Sequence, residues 1–182
     1  MKLILKFLRI LVFRLRHQGL RVTLLWIYGR FVPRLTGIPM QRYSQVTPQV
    51  FVGAQYNSTG LRRLAEWGID SVVNLRTEFN DAAHGLAPEY YLHLPVVDDD
   101  APTMEQMERG VNFIRQSVSR GGKVYIHCAG GVGRAPTLAA AYFVNQGMHL
   151  DEAVSLIQRA RPFINIMPAQ MQRLQEFARD GR

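Results

Sequence analysis

Apolar positions recur along this chain with two different periods, and the alternation between them predicts most of its elements. Val50 to Gly53 is a short strand candidate, and Thr59 to Trp67 a short helix. Ile69 to Leu75 is an apolar run whose Val72, Val73 and Leu75 suit a sheet buried on both faces. Tyr90 to Val96 and Lys123 to His127 read as further strands. Between them, Met104, Met107, Val111, Ile114 and Val118 fall at helical spacing within Thr103 to Ser119. Arg134 to Gln146 and Leu150 to Arg159 are further helices, and a last one starts at Pro168, tolerated in a first turn, and runs to about Ala178. Strands alternating with helices predict an α/β domain: a central, mostly parallel sheet flanked by helices. No internal repeat or low-complexity segment interrupts it.

The first 36 residues follow another pattern. At 100° per residue, Lys2, Lys6, Arg9, Arg14, Arg16, His17 and Arg21 fall within an arc of about 160°, and Leu3, Ile4, Phe7, Leu8, Leu11, Leu15 and Leu25 lie largely outside it. The arm is expected to be a basic amphipathic helix. It could lie in a membrane interface with Trp26 and Tyr28 at headgroup depth, pack on its own domain, or serve as an Arg-rich organellar presequence; the interfacial helix is the leading expectation. Pro33, Gly37 and Pro39 end the arm, and the polar run Gln41 to Gln49 reads as a linker. The expected organisation is an arm over residues 1–36, a linker over 37–42 and a globular domain over 43–182.

Charge sharpens the contrast between arm and domain. The net charge of the 182 residues is +8, yet Met1 to Ala65 holds 11 basic residues and no acid, whereas the remainder holds 11 basic and 14 acidic residues. An anionic partner is therefore expected on the N-terminal side, an anionic membrane surface through residues 1–30. Charge alone gives only nonspecific affinity for nucleic acid, and no base-reading motif is present, so no specific nucleic-acid partner is expected. The longest uncharged stretch before Phe31 is the eight residues Val22 to Gly29, too short for a spanning helix, which needs about 20. Arginines at 9, 14 and 16 interrupt what would be the apolar part of a secretory signal. The single cysteine, Cys128, excludes an internal disulfide and a Cys-rich metal site, and fits a reducing compartment. The expectation is a cytoplasmic protein peripheral to a membrane, or alternatively a mitochondrial one, with no metal and no cofactor. His17, His84, His93 and His149 show no ligand spacing.

The chemistry concentrates in residues 123–136, where a buried strand runs through a glycine-rich loop into a helix. Gly130, Gly131 and Gly133 allow unusual backbone angles and close approach, so successive N–H groups of Ala129, Gly130, Gly131, Val132, Gly133 and Arg134 can turn inward around an anion. The helix beginning at Arg134 adds about half a positive charge at its N-terminus, and the Arg134 fork can bind two phosphate oxygens. Such surroundings lower a thiol pKa from about 8.5 into the range of roughly 3.5 to 7.5, so Cys128 is expected to be a thiolate at neutral pH. A thiolate facing bound phosphorus predicts covalent catalysis through a phosphocysteine. That chemistry needs an acid for the leaving oxygen, and Asp98, Asp99 and Asp100 follow the strand ending near Val97.

His127, Cys128, Gly131 and Arg134 spell His-Cys-x-x-Gly-x-x-Arg, which resembles the signature loop of the cysteine-based protein tyrosine phosphatases. The run from Tyr43 to Phe177, about three-quarters of the chain, is similar to the compact domain of their dual-specificity branch. The resemblance implies a phosphatase acting on phosphomonoesters, either phosphorylated proteins or a phospholipid headgroup. It also implies that Pro95-Val96-Val97-Asp98 presents Asp98 as the general acid, and that His127 steadies the loop rather than transferring protons. Arg161 to Gln170 is similar to the corresponding stretch of the mitochondrial phosphatase subgroup that acts on phosphatidylglycerophosphate, and adds weight to a lipid substrate. Gln170 at the start of the last helix is expected to be solvated.

One position departs from the family pattern. The hydroxyl residue usual after the signature arginine is Ala135, a feature shared with the glucan phosphatase subgroup, whose carbohydrate-binding module is missing from this sequence. The alternative reading that Ala135 supports is a catalytically weak pseudophosphatase, or a membrane-recruited binding module that holds a phosphorylated ligand.

Overall fold

The computed structural model describes the backbone of residues 2–180 and the side chains of residues 8–180. In chain order, α1 (Lys2–Thr36) is followed by β1 (Val50–Gly53), α2 (Ser58–Glu66), β2 (Ser71–Arg76) and β3 (Tyr90–Val96). Then come α3 (Met104–Ser119), β4 (Val124–His127), α4 (Arg134–Asn145), α5 (Leu150–Ala160) and α6 (Pro168–Asp180). Every strand and helix expected from the apolar pattern is present. Their ends move by a residue or two where side chains cap them. Asn57 Oδ1 accepts from the N–H groups of Thr59 and Gly60, which makes Ser58 the first helical residue of α2. Thr103 closes a reciprocal capping box with Gln106 and stands just outside α3.

The four strands form one sheet in the order β1-β4-β2-β3, all pairs parallel. β4 lies between β1 and β2, with Val124 opposite both Val50 and Ser71, and its residues are fully buried. Side-chain alternation then serves two cores. Val124 and Ile126 join Val73, Leu75, Leu138, Ile157 and Leu174 under α3 to α6. Tyr125 turns the other way, into a smaller cluster with Phe51, Tyr56, Leu64 and Val72. Because β4 is central, the loop that leaves its C-terminal end enters α4, whose residues Arg134 to Phe143 are all buried. Loops at the C-terminal ends of parallel strands are where such sheets place their sites.

The arm departs from its expected form in three respects. Gly19, at φ 80° and ψ 168°, breaks α1 into two helical segments, so the helical wheel drawn through Arg21 and Leu25 does not describe one continuous face. Trp26, expected at headgroup depth, is 2% exposed, and Arg14, expected on the solvated basic face, is 3% exposed. Arg14 donates to the carbonyl of Phe163, and Gly29 sits so close to the Phe163 ring that a Cβ there would stand 2.6 Å from it. The arm therefore packs on the domain along one side. Away from these contacts Leu8, Val12, Phe13, Leu15, Leu20, Leu24, Phe31 and Leu35 are exposed, together with Tyr28. The side chains of Lys2, Leu3, Ile4, Lys6 and Phe7, part of the expected amphipathic pattern, lie outside the described residues. No helix among the described residues is long and apolar enough to cross a membrane.

The polar run after the arm is not a free connector. Gly37 ends α1 in the left-handed region, and its carbonyl accepts from Asn57 N–H at the start of α2. Gln45 forms an antiparallel bridge with Phe51, and Ser44 accepts from Val52. The unmet backbone groups of β1 outweigh the polar composition that reads as a linker.

Candidate active site

Loop 128–133 leaves β4 and curls under the N-terminus of α4. Four consecutive carbonyls of the loop are held from outside. Ala129 accepts from the N–H of Gln55, Gly130 from Arg161 Nη2 at 2.8 Å, Gly131 from Arg161 Nε at 2.6 Å, and Val132 from the N–H of Asn165 at 2.8 Å. In a planar trans peptide the N–H points opposite to its carbonyl, so fixing the oxygens outward turns the amides inward. Gly131 N–H donates to Cys128 Sγ at 3.3 Å. Among the described residues, the N–H groups of Ala129, Gly130, Val132 and Gly133 donate to no protein acceptor. Only Gly131 needs glycine for its backbone: φ is 62°, and a Cβ would stand 2.3 Å from the Gly53 carbonyl. Gly130 and Gly133, also expected to take unusual angles, keep negative φ, and Gly133 instead leaves room for Gln170.

Arg161 escaped the sequence reading. It is 1% exposed and also donates to the Tyr43 carbonyl at 2.7 Å while its guanidinium covers the Phe163 ring. Burial pushes it down to about 10, partly offset by the nearby Tyr125 and Cys128 groups. Its donors satisfy three carbonyls, that of Gly131 buried and those of Gly130 and Tyr43 half-buried, and its charge stands behind the loop. The similarity over Arg161 to Gln170 marks the stretch that holds it, but not its role.

Arg134, the first residue of α4, is 1% exposed and reaches across the ends of two strands. Nη1 donates to the carbonyls of Val96 at 2.8 Å and Leu75 at 3.3 Å, and Glu78 takes both Nη1 and Nη2 in a fork. Burial would raise Glu78, but hydrogen bonds from Arg134, from its own backbone and from Arg76, with the Arg134 charge, hold it at about 2. Burial works against the charged form of Arg134, and the Glu78 bond together with the Cys128, Asp98 and Glu78 charges outweighs it and raises the group. Arg134 Nε is buried without a hydrogen-bond partner among the described residues. An orphaned guanidinium N–H beside inward amides is an opening for an anion.

Asp98 is the carboxylate that meets this group: its Oδ1 lies 2.8 Å from Arg134 Nη2, with its side chain 67% exposed. Asp99, at φ 65°, also lines the cleft, whereas Asp100 offers its carbonyl to Gln170. Gln170 is 1% exposed rather than solvated, because it accepts from Met167 N–H and donates to Asp100, bracing the acidic loop against α6. His127 points away from the cleft. Its Nε2 bonds Asp81 Oδ2 at 2.7 Å, both fully buried, and Gln55 holds the other Asp81 oxygen. Ala135 is fully buried in the core beside Cys128. Among the described residues no group of three or more His, Cys, Asp or Glu side chains could hold a metal ion.

A cysteine sulfur at the base of inward amides, an arginine at their rim and a carboxylate on that arginine form the arrangement of a thiol-dependent phosphate chemistry. Comparison with known proteins agrees, since the description of the dual specificity phosphatase catalytic domain matches residues 50–180. The chain belongs to the dual specificity phosphatase family. Mouse phosphatidylglycerophosphatase and protein-tyrosine phosphatase 1 is 34% identical over 166 residues, 85% of this chain and 86% of the relative. Mouse dual specificity protein phosphatase 2 is 27% identical over 123 residues, 66% of this chain, and this chain spans 38% of its length. Among solved structures, PTPMT1 in complex with PI(5)P superposes with a TM-score of 0.69 at 26% identity, covering 75% of this chain and 94% of that one. Tk-PTP in the active form gives 0.68 at 29% identity, covering 77% and 99%. In this phosphatase domain α1 lies outside the family match, yet it reaches the site. Arg9, Arg14, Arg30 and Arg34 line the same cleft, of about 700 Å³, as Cys128 and Arg134.

Proposed function

We propose that this chain hydrolyses the phosphomonoester of an anionic phospholipid headgroup at a membrane surface, through a phosphocysteine. The observation that carries the chemistry is Cys128 Sγ beneath the inward amides, with Arg134 holding Asp98 at 2.8 Å. In the first step the Cys128 thiolate attacks phosphorus, the bond from phosphorus to the headgroup oxygen breaks, and the Asp98 carboxyl proton passes to that oxygen. The three phosphoryl oxygens rest on the amides of 129–134 and on the Nε edge of Arg134. In the second step the Asp98 carboxylate takes a proton from water, the resulting oxygen attacks phosphorus, and the sulfur–phosphorus bond breaks to free inorganic phosphate and the thiolate.

The lipid part of the reading rests on the cleft and the arm. Relatives named for phosphatidylglycerophosphate and a solved relative holding PI(5)P are similar to this chain. Leu20, Leu24 and Leu35, at 65%, 55% and 82% exposure, line the outer side of a basic helix, a combination that suits an anionic interface and a peripheral rather than spanning attachment.

The test uses the full chain without added metal on an aryl phosphate, a phosphotyrosine peptide and a phospholipid monoester in vesicles. Expected are turnover of all three, highest kcat/KM on the vesicles, and loss of turnover in Cys128→Ser with phosphate-analogue binding retained. Wild-type rates in the serine variant overturn the mechanism. A higher kcat/KM on the peptide than on the vesicles overturns the lipid assignment.

A further inference from the structure

The arm brings more positive charge to the cleft than one phosphate requires. Arg14 is held rigidly: it is 3% exposed, donates to Gln18 Oε1 at 2.6 Å and to the Phe163 carbonyl at 3.1 Å, and lies 4.8 Å over the Trp26 ring. Arg30 covers the same indole at 5.7 Å. Burial and the Arg30 charge push Arg14 down to about 10, and burial with the Arg30 and Arg76 charges pushes Arg34 down as well. These guanidiniums are thus gathered against their mutual repulsion. Among the described residues none of Arg9, Arg14, Arg30 or Arg34 forms an ion pair with a carboxylate. The acidic groups that line the cleft, Asp98 and Asp99, come from the loop after β3, and Asp98 is engaged with Arg134.

We propose that Arg14, Arg30 and Arg34 form a second anion subsite in the catalytic cleft, which receives a phosphodiester or second phosphate of the substrate while the scissile monoester sits on loop 128–134. The inference deepens the phosphatase reading and rests on it. The cleft's volume, about 700 Å³, falls within the range of about 300–1,000 Å³ of sites that take a whole ligand rather than one ion. Arginine forks match phosphate oxygens geometrically, and the Trp26 face keeps two of them oriented. In a phospholipid monoester the second anion is the diester joining headgroup to diacylglycerol. Ile10 and Phe13 line the cleft on the same arm, and Phe13 is 49% exposed, so acyl chains attached to that diester would leave along the apolar side of α1. The subsite belongs to a segment outside residues 50–180, the part of the chain that the family's catalytic domain matches.

The experiment compares a deacylated headgroup, which keeps monoester and diester in water, with glycerol phosphate, which has the monoester alone. Charge-assisted hydrogen bonds of this kind correspond to about 10-fold to 100-fold in kcat/KM, which is the expected preference of the wild type for the headgroup. Arg30→Gln and Arg34→Gln should each lower that preference about 5-fold to 10-fold, through KM rather than kcat. Arg115→Gln, the same charge loss on the exposed face of α3, should leave the preference unchanged. Titration of the two ligands into Cys128→Ser reads the same ratio without turnover. Equal kcat/KM for both compounds in the wild type, or an equal drop for all three arginine variants, overturns the subsite while leaving the phosphatase intact. Failure to hydrolyse an aryl phosphate would instead overturn the phosphatase, and the titration would still decide the subsite. A soluble sugar bisphosphate favoured as strongly as the headgroup supports the subsite with a metabolite as its source. A stronger preference for the chain-bearing lipid in vesicles supports a membrane source.

Discussion

Arg134 is tied to two carboxylates that answer different needs. Glu78 is a bidentate partner that fixes the fork, and Asp98 pairs with one nitrogen from an exposed position at the cleft, where a leaving group can meet it. Asp98→Asn should therefore lower kcat about 100-fold to 10,000-fold for poor leaving groups and far less for good ones, a pattern read from a series of aryl phosphates. Equal losses across the series would move the acid to Asp99. Glu78 makes a pH prediction. Its carboxyl sits at about 2 in the folded chain instead of the ordinary 4.5, so its contribution to stability is present above pH 4.5 and is lost as pH falls through 2. Melting temperature should fall more steeply between those limits in the wild type than in Glu78→Gln, as calorimetry can show.

At the scale of elements, the anion loop owes its shape to a segment thirty residues downstream. The stretch between α5 and α6 supplies Arg161 and Asn165, which hold the carbonyls of 130–132 outward. Arg161→Lys keeps the charge but can reach only part of what the fork reaches, so the buried Gly131 carbonyl or its half-buried neighbours lose donors, at about 1–3 kcal/mol for the buried one. The expected result is a lower melting temperature and weaker binding of phosphate by the otherwise intact Cys128 loop. Unchanged phosphate affinity in a destabilised variant would limit Arg161 to a structural role.

For the whole molecule the question is what covers the outer side of α1. Leu20, Leu24 and Leu35 are the most exposed apolar residues of the arm and make little contact with the domain. Replacing all three with Ser should leave the melting temperature near that of the wild type. Vesicle binding should nevertheless fall about 100-fold, since at about 25 cal/mol per Å² their transfer contributes on the order of 3 kcal/mol. Binding of the wild type should need anionic lipid and weaken with salt. Vesicle sedimentation that is indifferent to the three substitutions would leave α1 as a packed helix only.

How much of this was written in the linear chain depends on the range of the interaction concerned. Strand and helix periods and the Cys128, Gly131 and Arg134 spacing are local properties, set by side-chain alternation, backbone freedom and the thiol and guanidinium chemistries themselves. They were legible because neighbours along the chain determine them. The roles of Arg161, Asp81, Glu78 and Gln170 were not, since each depends on a partner 30 to 70 residues away that only the packed sheet brings near. The same reason explains the arm. Periodicity shows that it is helical and basic, but a helical wheel carries no information about which side meets a domain. Tertiary packing turned Trp26 and Arg14 inward, where burying an aromatic face and satisfying the Phe163 carbonyl outweigh exposing leucines on the other side.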